Sequence, residues 1–146
     1  MKIHQLSVFL ENKPGNLSHP CRVLADAGIN ILTLSLADTK QFGILRIIVR
    51  DWQKAKQALE SAGSVVNVAE VVAIEVEDRP GGMAAVLDGI ERAGLNIEYM
   101  YAFTIRKGDR AILVFRFENP DNAVAALQNS GVNVVAGVDL YDLVEK

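Results

Sequence analysis

The chain has 146 residues, half of them hydrophobic, which is enough for one ordinary domain or two very small ones and excludes disorder. Its net charge of −3 disfavours a nucleic-acid-binding protein, which usually presents a basic surface. No apolar run reaches the ~18 residues that a membrane span needs, the first residues do not resemble a signal peptide, and the single cysteine excludes an intrachain disulfide. We therefore expect a cytoplasmic protein.

The first predicted element is a strand in which apolar Leu6, Val8 and Leu10 recur at every second position, as in a half-buried strand. A Pro-Gly turn and a helix follow it. Pro20 falls inside that helix, where a proline removes a backbone donor. The helix therefore either begins late, with Ser18 as its cap, or is kinked.

The next elements are two strands, around 30–38 and 43–50, which we expect to form a hairpin. Asp51 then predicts the cap of a second helix, and Gly28 is placed for a left-handed cap at the end of the first helix. Cys21 falls at a core-facing helical position and is expected to be a buried thiol rather than a nucleophile.

The second half of the chain repeats the first. Two motifs recur 66 residues later. The first is Asn12-Lys13-Pro14-Gly15-Asn16-Leu17, which is repeated as Asp78-Arg79-Pro80-Gly81-Gly82-Met83. The second is Ala27-Gly28-Ile29-Asn30-Ile31, which is repeated as Ala93-Gly94-Leu95-Asn96-Ile97. Strands around 96–106 and 110–118 form the second hairpin, and Asn119-Pro120 predicts the start of the fourth helix. The basic segment Arg106–Arg110 is interpreted as a solvated hairpin tip.

This pattern predicts an α+β fold with two ferredoxin-like βαββαβ units in tandem, at residues 1–69 and 70–146. Each unit would have an antiparallel sheet with its helices on one face. Small units have modest cores, so we expect the units to pack together, either edge to edge or through their open faces. The open face of the sheets is expected to be apolar because it would carry Phe9, Ile48 and a strand with two tyrosines, and such a face favours a homodimer.

Aromatic residues on the strands allow two further interpretations. Tyr99, Tyr101 and Phe103 alternate on one strand and either pack a sheet face or form a stacking wall for a ligand. An RNA-recognition module has the same topology, but Phe115 and Phe117 are expected to point under the helices, so we reject it. No catalytic or metal-binding motif occurs, and we predict no enzyme activity, no metal and no cofactor.

The repeated Pro-Gly loop is the strongest candidate for a binding site. Glycine lets the backbone approach a ligand closely, and the free N–H groups at a helix start suit a carboxylate. The alternative is that Asn12 and Asp78 only cap their helices. In the same way, Asn30 and Asn96 either bind a ligand or form a turn.

The motif [Asn/Asp]-x-Pro-Gly, followed by Gly-[Ile/Leu]-Asn-Ile, resembles the ACT domain in both halves. The resemblance implies a regulatory module that binds an amino acid between two units. One site would then pair Asn12 with Asn96, and the other would pair Asp78 with Asn30. The implied ligand-binding residues are Asn12, Pro14, Gly15, Asn16, Leu17, Asn30, Ile31, Asp78, Arg79, Pro80, Gly81, Gly82, Met83, Asn96 and Ile97.

The resemblance implies a non-catalytic amino-acid-binding sensor without a further cofactor. The alternative is a regulatory subunit that acts mainly by binding a metabolic enzyme or a transcription regulator. A small enzyme that uses the same fold as a scaffold is a third interpretation. Neither nucleic acid nor a membrane is expected among the partners.

Overall fold

The computed structural model describes residues 2–38 and 40–144. Its elements follow in the order β1 (Ile3–Glu11), α1 (Ser18–Asp26), β2 (Thr33–Asp38), β3 (Phe42–Ile48), α2 (Trp52–Ser61), β4 (Val65–Glu77), α3 (Gly82–Arg92), β5 (Ile97–Ala102), β6 (Arg110–Phe117), α4 (Pro120–Asn129), β7 (Val134–Val135) and α5 (Gly137–Val144). The predicted α+β class and the twofold βαββαβ order are confirmed. None of these helices is both long and apolar enough to cross a membrane.

The chain divides into two compact units. The first-repeat unit comprises residues 4–69, and the second-repeat unit comprises residues from Glu70 onward together with Lys2 and Ile3. The long strand β4 contributes residues to both. Helix α5 is an addition that the repeat pattern did not predict.

The first-repeat unit is built on β3, which pairs antiparallel with β1 and with β2. Leu6 of β1 and Leu34 of β2 both lie opposite Ile47. Leu24 of α1 and Leu59 of α2 pack against this face and are fully buried with Leu6. The predicted alternation of Leu6, Val8 and Leu10 toward the core is therefore confirmed, but the prediction of a half-buried strand is wrong, because Gln5 and Ser7 on the other face are buried as well.

The second-repeat unit has the corresponding order, with β6 between β4 and β5 and the short β7 on the other edge of β4. Its core contains Ile74, Ile90, Leu127 and the stacked rings of Phe115 and Phe117, whose centroids lie 5.8 Å apart. The expectation that these two phenylalanines point under the helices is confirmed. They cannot stack on an exposed nucleotide base.

Some predicted burial patterns are wrong. Ile48 was expected on an exposed apolar face, but it is fully buried, whereas Phe9 is exposed. The helical periodicity of α3 predicts Leu87 on one stripe with Met83, Val86 and Ile90, but Leu87 is exposed, and Cys21 is only partly buried. The fully buried residues of α3 are Gly82, Gly89 and Ile90, and Met83 and Val86 pack against the core while partly buried.

Helix α1 begins late, as one of the two predicted alternatives required. It starts at Ser18, so Pro20 lies in the first turn, where a missing backbone donor costs little. The prediction of Ser18 as the cap is wrong, because its hydroxyl donates to the carbonyl oxygen of Gly15 at 3.0 Å. The N-cap position belongs to Leu17.

The predicted helix ends are confirmed at both glycines. Gly28 has a φ of 73° and Gly94 a φ of 70°. After α1, the N–H of Gly28 donates to Ala25 at 3.0 Å and the N–H of Ile29 donates to Leu24 at 2.9 Å. This is the Schellman arrangement, which satisfies the last carbonyls of a helix and requires a left-handed residue.

We expect Asp51→Ala to lower the free energy of unfolding by about 1 kcal/mol. The Asp51 carboxylate accepts the N–H of Lys54 at 3.2 Å and caps α2, so alanine leaves that donor without its partner. Urea denaturation measures the difference. Asp51→Asn keeps an acceptor and should cost less; an equal loss in both variants would show that the cap bond is not the source.

Candidate functional site

The two Pro-Gly loops form the same turn. In the second-repeat unit the N–H of Gly82 donates to Arg79 at 2.9 Å, and Gly81 has a φ of 86°. Proline at the second position and a left-handed glycine at the third indicate a type II turn. In the first-repeat unit the N–H of Asn16 donates to Lys13 at 3.2 Å, with a φ of 88° at Gly15. The repeated sequence therefore produces a repeated backbone.

Each loop leads into a helix whose start has no side-chain cap among the described residues. The interpretation of Asn12 and Asp78 as N-caps is therefore wrong. The N-cap of α3 is Gly81, which has no side chain that could accept the first-turn N–H groups. The Gly82 N–H is used within the turn, and the donors that follow it, at the positive end of the helix dipole, can bind a carboxylate from a ligand.

The first residue of each loop instead contacts the hairpin of its own unit. The Asp78 carboxylate forms an ion pair with Arg106 at 2.8 Å. The Asn12 side chain donates to the carbonyl oxygen of Lys40 at 3.4 Å. Because the Asp78 carboxylate is already paired with Arg106, it is less available to bind the ammonium group of a ligand.

The hairpin tip at Arg106–Arg110 is solvated, as predicted, because residues 106–109 are exposed, and its cations also pair with carboxylates of the same unit. Lys107 contacts the Glu75 carboxylate at 2.7 Å, and Arg110 lies 3.8 Å from the same group. The hydrogen bond and the negative charge of Glu75 raise the pKa of Lys107, against a smaller opposing effect of desolvation. Sequence reasoning missed these pairs because they join strands distant in the chain.

Glu75 lies at the centre of this charged group. Its side chain is only 9% exposed, and its carboxylate also accepts the side-chain amide of Asn133 at 3.4 Å. Two hydrogen-bond donors, Lys107 and Asn133, and the nearby Arg110 guanidinium compensate this nearly buried charge. The alternation along β4 predicts that Glu75 and Val76 point to opposite faces of the sheet, but it does not predict which cations contact Glu75.

A cleft of about 680 Å³ lies beside the loop of the second-repeat unit. It runs between β4, α3 and the segment 130–133, which connects α4 to β7. Four of the predicted site residues line it, and they are Arg79, Pro80, Gly81 and Gly82. The volume suits a small-molecule ligand. Lining residues that the sequence analysis did not single out are Glu75, Glu77, Ala85, Val86, Gly89, Arg92, Arg110, Ser130, Gly131, Val132 and Asn133.

The first-repeat unit carries larger side chains at two of the matching positions. The Asn16 amide, at the position of Gly82, donates to Glu11 O at 3.0 Å. His19, at the position of Ala85, reaches the carbonyl oxygen of Ala62, with Nε2 3.4 Å from it. The two repeats therefore share a loop backbone but differ in the side chains beside it.

The remaining predicted residues lie apart from this cleft. Asn30 and Asn96 are exposed and follow the C-terminal ends of α1 and α3. An 11-residue helix such as α3 is roughly 16 Å long. A ligand at the start of α3 therefore cannot reach Asn96 of the same unit. Pro14 is exposed and Leu17 is partly exposed. Ile31 packs against the core of the first-repeat unit, and Met83 and Ile97 pack against the core of the second.

Metal binding finds no support in the arrangement of side chains. Within residues 2–38 and 40–144, no three histidine, cysteine, aspartate or glutamate side chains are grouped to hold a metal ion.

Comparisons with known proteins give a consistent result. The sequence model of the family described as the ACT domain pair matches residues 1–144. The structure of protein BT0572 from Bacteroides thetaiotaomicron is 41% identical, with a TM-score of 0.89, and the match covers 98% of each chain. No curated protein matches the chain.

Two regulatory subunits share the fold. The ligand-free regulatory subunit of aspartate kinase from Thermus thermophilus is 18% identical, with a TM-score of 0.63, over 87% of this chain and 91% of that one. The regulatory subunit of aspartate kinase from Thermus flavus is also 18% identical, with a TM-score of 0.58, over 90% and 94%. At this identity the likeness concerns the fold alone.

Proposed function

Because the chain belongs to the ACT domain family, as an ACT domain pair, we propose that it is a non-catalytic regulatory protein that binds an amino acid at a Pro-Gly loop. The observation that carries the proposal is the repeated type II turn followed by an uncapped helix start. Backbone N–H groups there can bind the α-carboxylate that every amino acid carries. The neighbouring cleft offers space for the side chain.

Calorimetric titration with the twenty amino acids tests this function. We expect saturable binding of one or a few of them, because a site with fixed polar groups discriminates between side chains. Mass spectrometry of small molecules that co-purify with the native protein identifies the ligand independently. Heat from none of the twenty, together with no co-purifying amino acid, would contradict the proposal.

The pairing of a loop with an asparagine turn is a separate prediction. Asn96→Ala should weaken a site that uses the Asn12 loop, and Asn30→Ala should weaken a site that uses the Asp78 loop. Loss of hydrogen bonds to a charged ligand costs about 1.5–3 kcal/mol, or roughly ten- to hundredfold in affinity. Calorimetry of each variant measures the change. If both substitutions leave binding intact, the pairing is wrong, although loop binding can still hold.

A second candidate function is that of a regulatory subunit that acts by binding an enzyme or a transcription regulator. It is favoured by the shared fold of chains that are themselves described as regulatory subunits of aspartate kinase. Affinity purification of the full chain, with and without added amino acids, tests this candidate. If one amino acid releases or recruits the partner, the protein both senses that amino acid and regulates the partner. If the partner binds equally with and without amino acids, the result favours partner binding alone.

A further inference from the structure

The cleft of the second-repeat unit has a cation that its own carboxylates do not neutralise. Its charged lining residues are Glu75, Glu77, Arg79, Arg92 and Arg110. Glu75 is bound by Lys107 and approached by Arg110, and Glu77 is paired with Arg79. No carboxylate in the part of the chain that the structure describes pairs with Arg92. The cleft therefore has an unmatched positive charge at Arg92.

The position of this charge is set by α3. The Arg92 guanidinium folds back along the helix, so that Nη2 lies 3.8 Å from where a Cβ on Gly89 would be. Gly89 is six residues beyond Met83 in the first turn, which corresponds to about 9 Å along the helix axis. The cleft thus presents a cation near Gly89, about 9 Å along the axis of α3 from the helix turn that follows the loop.

A dicarboxylic amino acid carries a second carboxylate for this cation. The two carboxyl carbons of extended glutamate lie about 5 Å apart, from four carbon–carbon bonds of ~1.5 Å. With a hydrogen bond of about 3 Å at each end, glutamate can join groups that lie roughly 11 Å apart. A guanidinium binds a carboxylate with two parallel hydrogen bonds, which makes arginine more selective for this group than for a neutral amide.

The first-repeat unit lacks each of these features. The residue that corresponds to Arg92 is Asp26, of opposite charge, and Val23 stands at the position of Gly89. His19 fills the position of Ala85 and reaches Ala62. At the two matching positions, the first-repeat unit therefore has an acid and a valine where the second-repeat unit has a cation and a glycine.

We propose that the cleft of the second-repeat unit selects an amino acid with an acidic side chain, and that Arg92 binds its side-chain carboxylate. This inference rests on the proposed amino-acid binding and names its chemical class. One such ligand binds per chain.

Calorimetry of the full chain with L-glutamate and L-aspartate, each against its amide, tests the inference. We expect the better acid to bind at least tenfold more tightly than glutamine or asparagine, with one ligand per chain. Arg92→Gln should weaken binding of that acid tenfold or more and leave the affinity for the amides unchanged. Arg92→Lys keeps the charge but loses the bidentate geometry, so it should retain part of the preference.

A reciprocal exchange of side chains locates the ligand. Ala85→His introduces the side chain that stands at this position in the first-repeat unit, and its bulk in the cleft should weaken binding at least tenfold. His19→Ala is the matched control and should leave binding unchanged. Thermal unfolding of both variants verifies that they fold. Binding that survives Ala85→His in a folded variant would place the ligand elsewhere and overturn the inference.

The outcomes separate this inference from the proposed function. Equal affinity for acids and amides, or equal loss for both in Arg92→Gln, would overturn the acidic class. A neutral amino acid that binds and does not respond to Arg92→Gln would overturn the inference and leave the proposed function standing. Absence of binding by all twenty amino acids would remove both.

Discussion

Gly82→Ala should lower the free energy of unfolding by about 3 kcal/mol, at the upper end of what an overpacked site usually costs. A Cβ at this position would lie 1.9 Å from the carbonyl oxygen of Glu77. That oxygen belongs to the end of β4, so it cannot move aside as a side chain can. Chemical and thermal denaturation measure the loss, which corresponds to roughly 6–12 °C in the melting temperature.

Gly89→Ala is the matched control for this effect. Its Cβ would meet the Cγ2 atom of Val132 at 3.0 Å, which is a tight contact with a side chain that can turn. Alanine also favours the helix relative to glycine by about 1 kcal/mol. We expect a net change below about 1 kcal/mol. If Gly82→Ala proves as mild as this control, the close approach of α3 to Glu77 is not a fixed feature of the fold.

The contrast between the two repeats explains this requirement for glycine. Asn16 stands at the position of Gly82 in the first repeat, and its side chain donates to Glu11, the counterpart of Glu77. Helix α1 begins at Ser18, two positions later in the repeat than α3, which begins at Gly82. The later start gives the larger side chain room beside the strand end.

Local signals in the sequence were sufficient for the fold. The alternation around Leu6, the cap at Asp51 and the glycine after α1 each depend on a few neighbouring residues, and the structure confirms them. Tandem repetition then strengthened each assignment, since every signal occurred twice. Burial of Ile48 could not be predicted in this way, because it depends on what covers a sheet face rather than on the strand itself.

The site was predictable only in part. The Pro-Gly motif predicted a turn with a positive φ, and both turns have it. The ion pair between Asp78 and Arg106 and the approach of Lys107 to Glu75 were not predictable, because they join residues 28 and 32 positions apart through the hairpin. The cleft was missed for a similar reason, since it requires the loop after α4 beside α3. The sequence did contain one signal for the cleft, which is the difference between the repeats at matching positions. The second repeat has the small Ala85 where the first has the larger His19.

Separation of the chain into residues 1–69 and 70–146 should abolish cooperative folding of at least the second fragment. Ile3 is only 1% exposed and belongs to the second-repeat unit, where it lies 3.7 Å from the position of a Cβ on Gly137. Lys2 forms ion pairs with Glu70 at 2.7 Å and Asp121 at 2.9 Å. These carboxylates raise the pKa of Lys2 by hydrogen bonding. A fragment that starts at residue 70 loses all of these contacts.

The cut also interrupts β4, a strand of 13 residues. Val66 is part of the first core, whereas Val72, Ile74 and Val76 are part of the second. Each fragment would therefore end in a frayed strand beside its own core, and small cores have little stability to spare. We expect the separate fragments to aggregate or to unfold without a sharp transition, as measured by calorimetry and circular dichroism. Mixing them should restore part of the transition of the intact chain, because the mixture supplies Ile3 again. Two sharp transitions near the intact melting temperature, one from each isolated fragment, would show that neither the N-terminal residues nor the continuity of β4 is needed for folding.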